Sequence, residues 1–252
     1  MRFTPETRAL DWLVRRPIAH RGLHDKTKGV IENSRSAFAA ALEHGYAIEC
    51  DLQITRDGEA MVFHDESLHR LTGTKGQVKD ITAVELQHLP LTGSGDTPQT
   101  LSELLSQVDG RVPLVIELKS HWDGNDALVR RALRVLEHYN GAHCLMSFDA
   151  DQVEAVRQLS PHTVRGIVAD RTQDPEYAIL PVSRRKEMRF LGHLHRTAPH
   201  FLSFYERELP WEPVSRFRAA GGPVITWTIR SPAQAARANR YADQITFEGY
   251  RP

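Results

Sequence analysis

Short β-rich apolar runs separated by helices with readable caps recur along this chain, and that alternation restricts its fold more than any other feature. The runs are 17–20 (PIAH), 46–52 (YAIECDL), 60–63 (AMVF), 113–118 (PLVIEL) and 143–147 (HCLMS), then 164–168 (VRGIV), 200–203 (HFLS), 223–228 (PVITWT) and 243–247 (DQITF). Between them, Asn33 or Ser34 can cap a helix that closes at Gly45, and Thr100-Leu-Ser-Glu103 is a capping box with Gly110 beyond its helix. Residues 126–140 carry one broad apolar face and stop at Gly141. Asp149 caps the next helix, and Ser231-Pro232 opens the last with proline in its first turn.

Strands joined by crossover helices form a parallel sheet, and about eight such units in 252 residues predict an α/β chain closed as a (β/α)8 TIM barrel. Nine runs for eight staves leave one as an extra hairpin or edge strand. The open doubly wound sheet is the alternative, but no G-x-G-x-x-G follows the first run. The chain reads as a single barrel domain, 1–252, with a small insertion lobe at 65–99 after the third strand. That lobe holds a Gly-rich piece, LTGTKGQV, and an amphipathic piece, TAVELQHL.

Lys plus Arg equals Asp plus Glu at 32 each, so no global field attracts nucleic acid or an anionic membrane. No run approaches the roughly 18 apolar residues needed to span a bilayer. MRFTPETRALDWLVRR lacks the apolar core and cleavage site of a signal peptide. Cys50 and Cys144 both sit inside strand-like runs, as buried reduced thiols would. The expectation is a cytoplasmic protein with no nucleic-acid partner and no stable membrane insertion. One local exception is the cation-rich segment 171–199, with Arg184, Arg185, Lys186, Arg189, His193, His195 and Arg196. Its plain reading is a solvated outer helix with loops; the alternative is an anion-binding surface.

Chemistry concentrates at strand ends. In the run at 46–52 the period of 2 puts Glu49, Asp51 and Gln53 on one face, with Cys50 and Leu52 on the other. Glu117 and Lys119 share a face in the same way, opposed by Ile116 and Leu118. The outer face of a barrel packs on helices and must be apolar, so Glu49, Asp51, Glu117 and Lys119 point inward, near the C-terminal mouth. Three inward carboxylates cannot all stay ionised beside one lysine without a further cation. All-oxygen ligation favours a hard divalent ion, Mg2+ or Ca2+. The competing reading is a buried ion-pair network of the same carboxylates with Lys119 and Arg21.

His20 in IAHRG and His64 in MVFHD end two strand runs in the same manner, and His24 and His121 follow site strands closely. A hard cation, Arg21 and Lys119 in one mouth suit a phosphate. Two histidines beside them suit phosphodiester cleavage, one as general base and one as general acid.

Several motifs stand in order over residues 18–119: AHRG, EN before the first helix, IExD, TxDG at 55–58, HDxxLxRxTG at 64–73, EL at 85–86 and ELK at 117–119. In these the chain resembles the glycerophosphodiester phosphodiesterase family; SFD at 147–149 and WT at 227–228 match more loosely. The resemblance implies a TIM barrel that uses a divalent metal to cleave glycerophosphodiesters into glycerol 3-phosphate and an alcohol. It implies Glu49, Asp51 and Glu117 as metal ligands, His20 and His64 as the acid/base pair, Arg21 and Lys119 as phosphate-binding cations, and Trp227 beside the glycerol. The chain departs from the family at Ile31, where a proline is usual, and at its closing strand, usually close to GIITDxP but here QITFEGYRP. Arg230 stands near a common asparagine. Because late strands shape the pocket, the same chemistry on a lysophospholipid or sugar phosphodiester is the alternative, followed by a silent phosphodiester-binding barrel.

Overall fold

The computed structural model describes residues 10–173 and 175–252. A short helix α1 (Asp11–Val14) precedes β1 (Ile18–Ala19), and α2 (Arg35–Glu43) leads to β2 (Ala47–Ile54) and β3 (Ala60–Val62). Next come α3 (His69–Thr72), α4 (Ala83–Gln87), α5 (Leu101–Val108), β4 (Leu114–Leu118), α6 (Ala127–Leu136), β5 (His143–Ser147) and α7 (Ala150–Leu159). The second half runs β6 (Arg165–Ala169), α8 (Val182–Arg189), α9 (Leu194–Thr197), β7 (Phe201–Tyr205), α10 (Glu212–Ala219), β8 (Val224–Ile229), α11 (Pro232–Ala238) and β9 (Gln244–Phe247).

Eight of these strands close a parallel ring in the order β1-β9-β8-β7-β6-β5-β4-β2, and β1 pairs back to β2 through Ile18 and Ala47. This is the TIM barrel the alternation predicts. The surplus run is β3, which pairs antiparallel to β2 through Leu52–Val62 and lies outside the ring. His64 therefore follows a hairpin arm and not a stave, so the two histidines do not end equivalent strands.

The pleat separates two apolar layers. Outward side chains such as Ile48, Cys50, Leu52, Ile116 and Leu118 pack with Phe38 of α2 and with Leu101, Leu104, Leu105 and Val108 of α5. That helix forms because Thr100 and Glu103 satisfy each other's free backbone donors while its apolar residues recur at helical spacing. Inward side chains Ile18, Ala47, Val115, Cys144, Phe201 and Ile225 join Leu10 and Leu13 beneath the barrel. Phe201 fills this floor so closely that a Cβ on Gly166 would lie 2.3 Å from its ring, so only glycine fits there. Both cysteines are buried and free, Cys50 in the outer layer and Cys144 in the inner one.

Local signals mostly hold. Ser34, not Asn33, caps α2 by accepting from the Ala37 N–H, and Asp149 and Ser231 cap α7 and α11. The helix expected to reach Gly141 ends at Leu136. There the chain turns so that the Tyr139 hydroxyl accepts the Gly110 N–H at 3.1 Å. The 65–99 segment has a small apolar cluster of its own, in which Leu68, Leu71, Val78, Ala83, Leu86 and Leu91 pack with Met61 and Phe63 of the hairpin arm.

Candidate active site

The longest strand, β2, carries Glu49 and Asp51 inward at 2% and 1% exposure, and β4 places Glu117 beside them through the Asp51–Glu117 register. One ligand oxygen from each of the three carboxylates lies within 4.8 Å of the others. Lys119 Nζ donates to Glu117 at 2.6 Å and pairs with Asp51 at 2.8 Å. Arg21 approaches from the end of β1: its backbone N–H donates to Glu49 at 2.9 Å and its Nε lies 3.3 Å from Asp51. Arg21 holds a left-handed φ of 54° to do this, and a non-glycine residue keeps that conformation only where its surroundings enforce it. The next turn is possible because Gly22, at φ 80°, has no Cβ; one placed there would lie 2.9 Å from the Ala37 backbone.

These contacts belong equally to an ion-pair network, but the charges do not balance. Burial and the neighbouring carboxylates Asp51 and Glu117 push Glu49 well above the usual carboxylate range. Burial also works to raise Asp51, yet Lys119, His64 and Arg21 together hold it far below its ordinary value. Two cations thus leave one buried carboxylate of three unfavourably charged. An all-oxygen set with that deficit fits a hard divalent ion.

Both histidines are oriented by carboxylates. His20 Nδ1 lies 2.6 Å from Glu248, and its Nε2 lies 4.0 Å from Glu49. His64 Nδ1 lies 2.7 Å from Asp65, while the His64 carbonyl accepts from Gln53 Nε2 at 3.0 Å. Each ring thereby turns its Nε2 away from its carboxylate partner. Burial lowers the His20 pKa below its ordinary value, against the raising effect of its bond to Glu248.

A second ring of charge supports this set. Glu32 accepts from Arg21 at 2.6 Å and from both terminal nitrogens of Arg70 at 2.9 and 2.7 Å. Arg70, on α3, also donates to Asp65 at 2.6 and 2.8 Å. Arg70 therefore links the carboxylate on His64 to the carboxylate on Arg21. Buried Asn33 donates to Asp51 at 2.8 Å from a left-handed backbone, φ 56°.

All eight sequence-predicted residues are near one mouth. His20, Arg21, Glu49, His64, Glu117, Lys119 and Trp227 line one pocket of about 960 Å³, and buried Asp51 touches Lys119 and Arg21 beneath it. Trp227 packs against Phe148 and Tyr205, with ring centroids 5.6 and 5.1 Å apart. Lys119 rests on carboxylates, which holds its ammonium charged well above its normal range despite burial. Of the two histidines singled out for their positions, His24 lies 3.7 Å from Glu248 and His121 pairs with Glu66 at 3.1 Å on the pocket rim.

Sequence reasoning passed over Glu248, Asp65, Arg70 and Asn33 as supporting residues. Asn33, Asp65 and Arg70 lie inside the EN and HDxxLxRxTG motifs, whose spacing alone names no partner. Glu248 lies in the departing closing strand, and period 2 from Gln244 and Thr246 would have placed it on the inward face. It also explains Arg230, whose Nε and terminal nitrogen bind Glu248 at 2.9 and 2.7 Å. Two of the three departures from the family pattern are thus partners of one another.

Residues 20–243 match the Glycerophosphoryl diester phosphodiesterase family. A glycerophosphodiester phosphodiesterase of Caldanaerobacter subterraneus is 32% identical over 161 residues, 60% of this chain and 65% of that protein. A putative glycerophosphodiester phosphodiesterase of Bacillus subtilis is 26% identical over 230 residues, 87% of this chain and 88% of that one. Among solved structures, an Oleispira antarctica phosphodiesterase in complex with the product sn-glycerol-3-phosphate superposes with a TM-score of 0.75 at 21% identity, covering 92% of this chain and 91% of that one. At that identity the superposition establishes the shared barrel alone. With a sequence match running from the first site histidine to the last strand, the chain belongs to the glycerophosphoryl diester phosphodiesterase family.

Proposed function

We propose that this pocket hydrolyses glycerophosphodiesters to glycerol 3-phosphate and an alcohol. The observation that carries the reading is the pairing of two carboxylate-held histidines with a three-carboxylate cage and two cations in one mouth. Glu49, Asp51 and Glu117 would hold a divalent ion, Mg2+ or Ca2+, which when bound supplies charge stabilisation at the phosphoryl oxygens. Arg21 and Lys119 orient the phosphate beside it. His20, whose pKa burial lowers, takes the proton from the attacking oxygen as the new P–O bond forms. His64, held through Asp65, gives a proton to the alcohol oxygen as the old P–O bond breaks. Trp227 walls the glycerol side.

A second reading concerns the alcohol. Trp122, Phe148, Tyr177 and Ile179 also line the pocket, and apolar lining suits a leaving alcohol that carries a chain, as in a lysophospholipid. One panel tests both: glycerophosphocholine, a lysophospholipid and a sugar phosphodiester, each with Mg2+ or Ca2+ and with chelator, the products identified. Turnover that survives chelation, or survives His20→Ala and His64→Ala in folded protein, overturns the mechanism. Turnover of soluble headgroup diesters alone removes the second reading.

A further inference from the structure

We propose that the face formed by α8 and the loops after β6 and β7 docks onto an anionic phospholipid surface. Among the described residues, five large apolar side chains are strongly exposed, and three of them fall within twelve positions: Ile179 at 74%, Val182 at 71% and Phe190 at 50%. Apolar residues exposed singly are ordinary, whereas a cluster at one edge of a pocket is not.

The cations have a definite arrangement. On α8, Val182, Arg185, Lys186 and Arg189 recur at i, i+3, i+4 and i+7 and so share one face. The opposite side holds Met188, which is buried, and Arg184, whose guanidinium is taken by Asp149 and Asp151 at 2.7 and 2.8 Å. Arg189 lies over the Phe190 ring at 5.7 Å, and Arg171 over Trp211 at 4.6 Å. Acidic neighbours among the described residues include Glu187, which Arg196 approaches at 3.5 Å, Glu208, which accepts the Arg171 backbone N–H, and Asp170, which accepts from the Tyr177 hydroxyl at 2.9 Å. The chain as a whole is neutral, so this concentration of positive charge is local.

Position completes the inference. Arg171 follows β6 and Trp211 follows β7, so both stand in loops at the C-terminal end of the barrel, where the pocket opens. Tyr177 and Ile179 belong to the pocket lining itself. Val182 and Phe190 can enter the boundary between headgroups and acyl chains while exposed Lys186 and the half-buried Arg185 and Arg189 reach lipid phosphates. Exposed apolar side chains flanked by cations, beside a pocket mouth, match the layered chemistry of a lipid surface. Docking would bring the pocket mouth against the layer that contains phosphodiester headgroups.

Binding needs no catalysis, so vesicle sedimentation tests it separately from the proposed hydrolysis. The wild-type protein should sediment with equimolar phosphatidylcholine–phosphatidylglycerol vesicles, release as salt rises, and stay soluble with phosphatidylcholine alone. The pairs Val182→Ser/Phe190→Ser and Arg185→Gln/Lys186→Gln should each lower partition by about tenfold or more, with hydrolysis of a soluble diester unchanged. Absence of wild-type sedimentation with the mixed vesicles overturns the proposal, as does partition undiminished in both folded variants. Loss in the charge pair alone also overturns it, because a purely ionic face does not require a membrane.

Discussion

The two halves of the barrel contribute opposite chemistry to one pocket. β1, β2 and β4, with the arm that follows β3, bring His20, Arg21, Glu49, Asp51, His64, Glu117 and Lys119. The strands β5 to β8 bring Met146, Val168, Ser203 and Trp227. Charged groups in a dry site require fixed partners, and the first half supplies them through bonds between buried neighbours. Apolar walls require only volume and tolerate exchange. The difference teaches where change is affordable: the second half can be reshaped for a new alcohol without disturbing charge balance. The exceptions are Asp149, Asp170 and Arg230, charged groups that also line the pocket, and Glu248 after β9, which reaches back to hold His20.

The division can be broken most directly at its charged centre. His20→Ala or Glu117→Gln should lower kcat by about a thousandfold or more with the thermal transition kept, measured by steady-state release of glycerol 3-phosphate. Next, Glu248→Gln should lower kcat by roughly 10–100-fold with KM little changed, and Glu248→Asp should recover part of it. A shift in KM alone would mean that Glu248 binds substrate and does not orient His20. Trp227→Ala should raise KM by about tenfold, to an extent that differs among alcohols. An equal collapse of kcat on every substrate would erase the distinction between the halves.

The smallest effect concerns stability. Burial works to raise Glu32, but bonds from Arg70 and the charge of Arg21 hold its pKa down to about 2. A depressed carboxylate stabilises the folded state above its unfolded pKa, near 4.5, and that contribution fades as pH falls toward 2. In chelator, urea unfolding of Arg70→Met should therefore lose less stability between pH 5 and pH 3 than wild type does, from a lower start. Identical slopes would place the coupling elsewhere.

Much of this was legible in the sequence because strand period 2 fixes faces: Glu49 and Asp51 must point together once Cys50 and Leu52 face helices. Capping boxes at Thr100 and a proline after Ser231 mark helix starts for equally local reasons. What escaped was non-local. Glu248 and His20 are 228 residues apart, and no local period announces that bond. The extra strand was countable but not identifiable, since AMVF and PIAH look alike until pairing partners are known. After α6 ends at Leu136, the Tyr139 hydroxyl likewise meets a distant partner, accepting the Gly110 N–H.

The place of β3 outside the ring bears on how far apart the two histidines can sit. A stave such as β1 is laddered on both sides, and moving it disturbs two neighbours. Among the described residues β3 is laddered to β2 alone, with an isolated bridge from Met61 to Thr100 on its other edge. His64 is thus mounted on an outrigger seated both by β2, through the Gln53 bond to its carbonyl, and by the lobe, while His20 is built into the hull. Lobe grafts that change the packing of Leu68 or Leu71 would retune the gap between the two imidazoles from one side, leaving the carboxylate cage where it is.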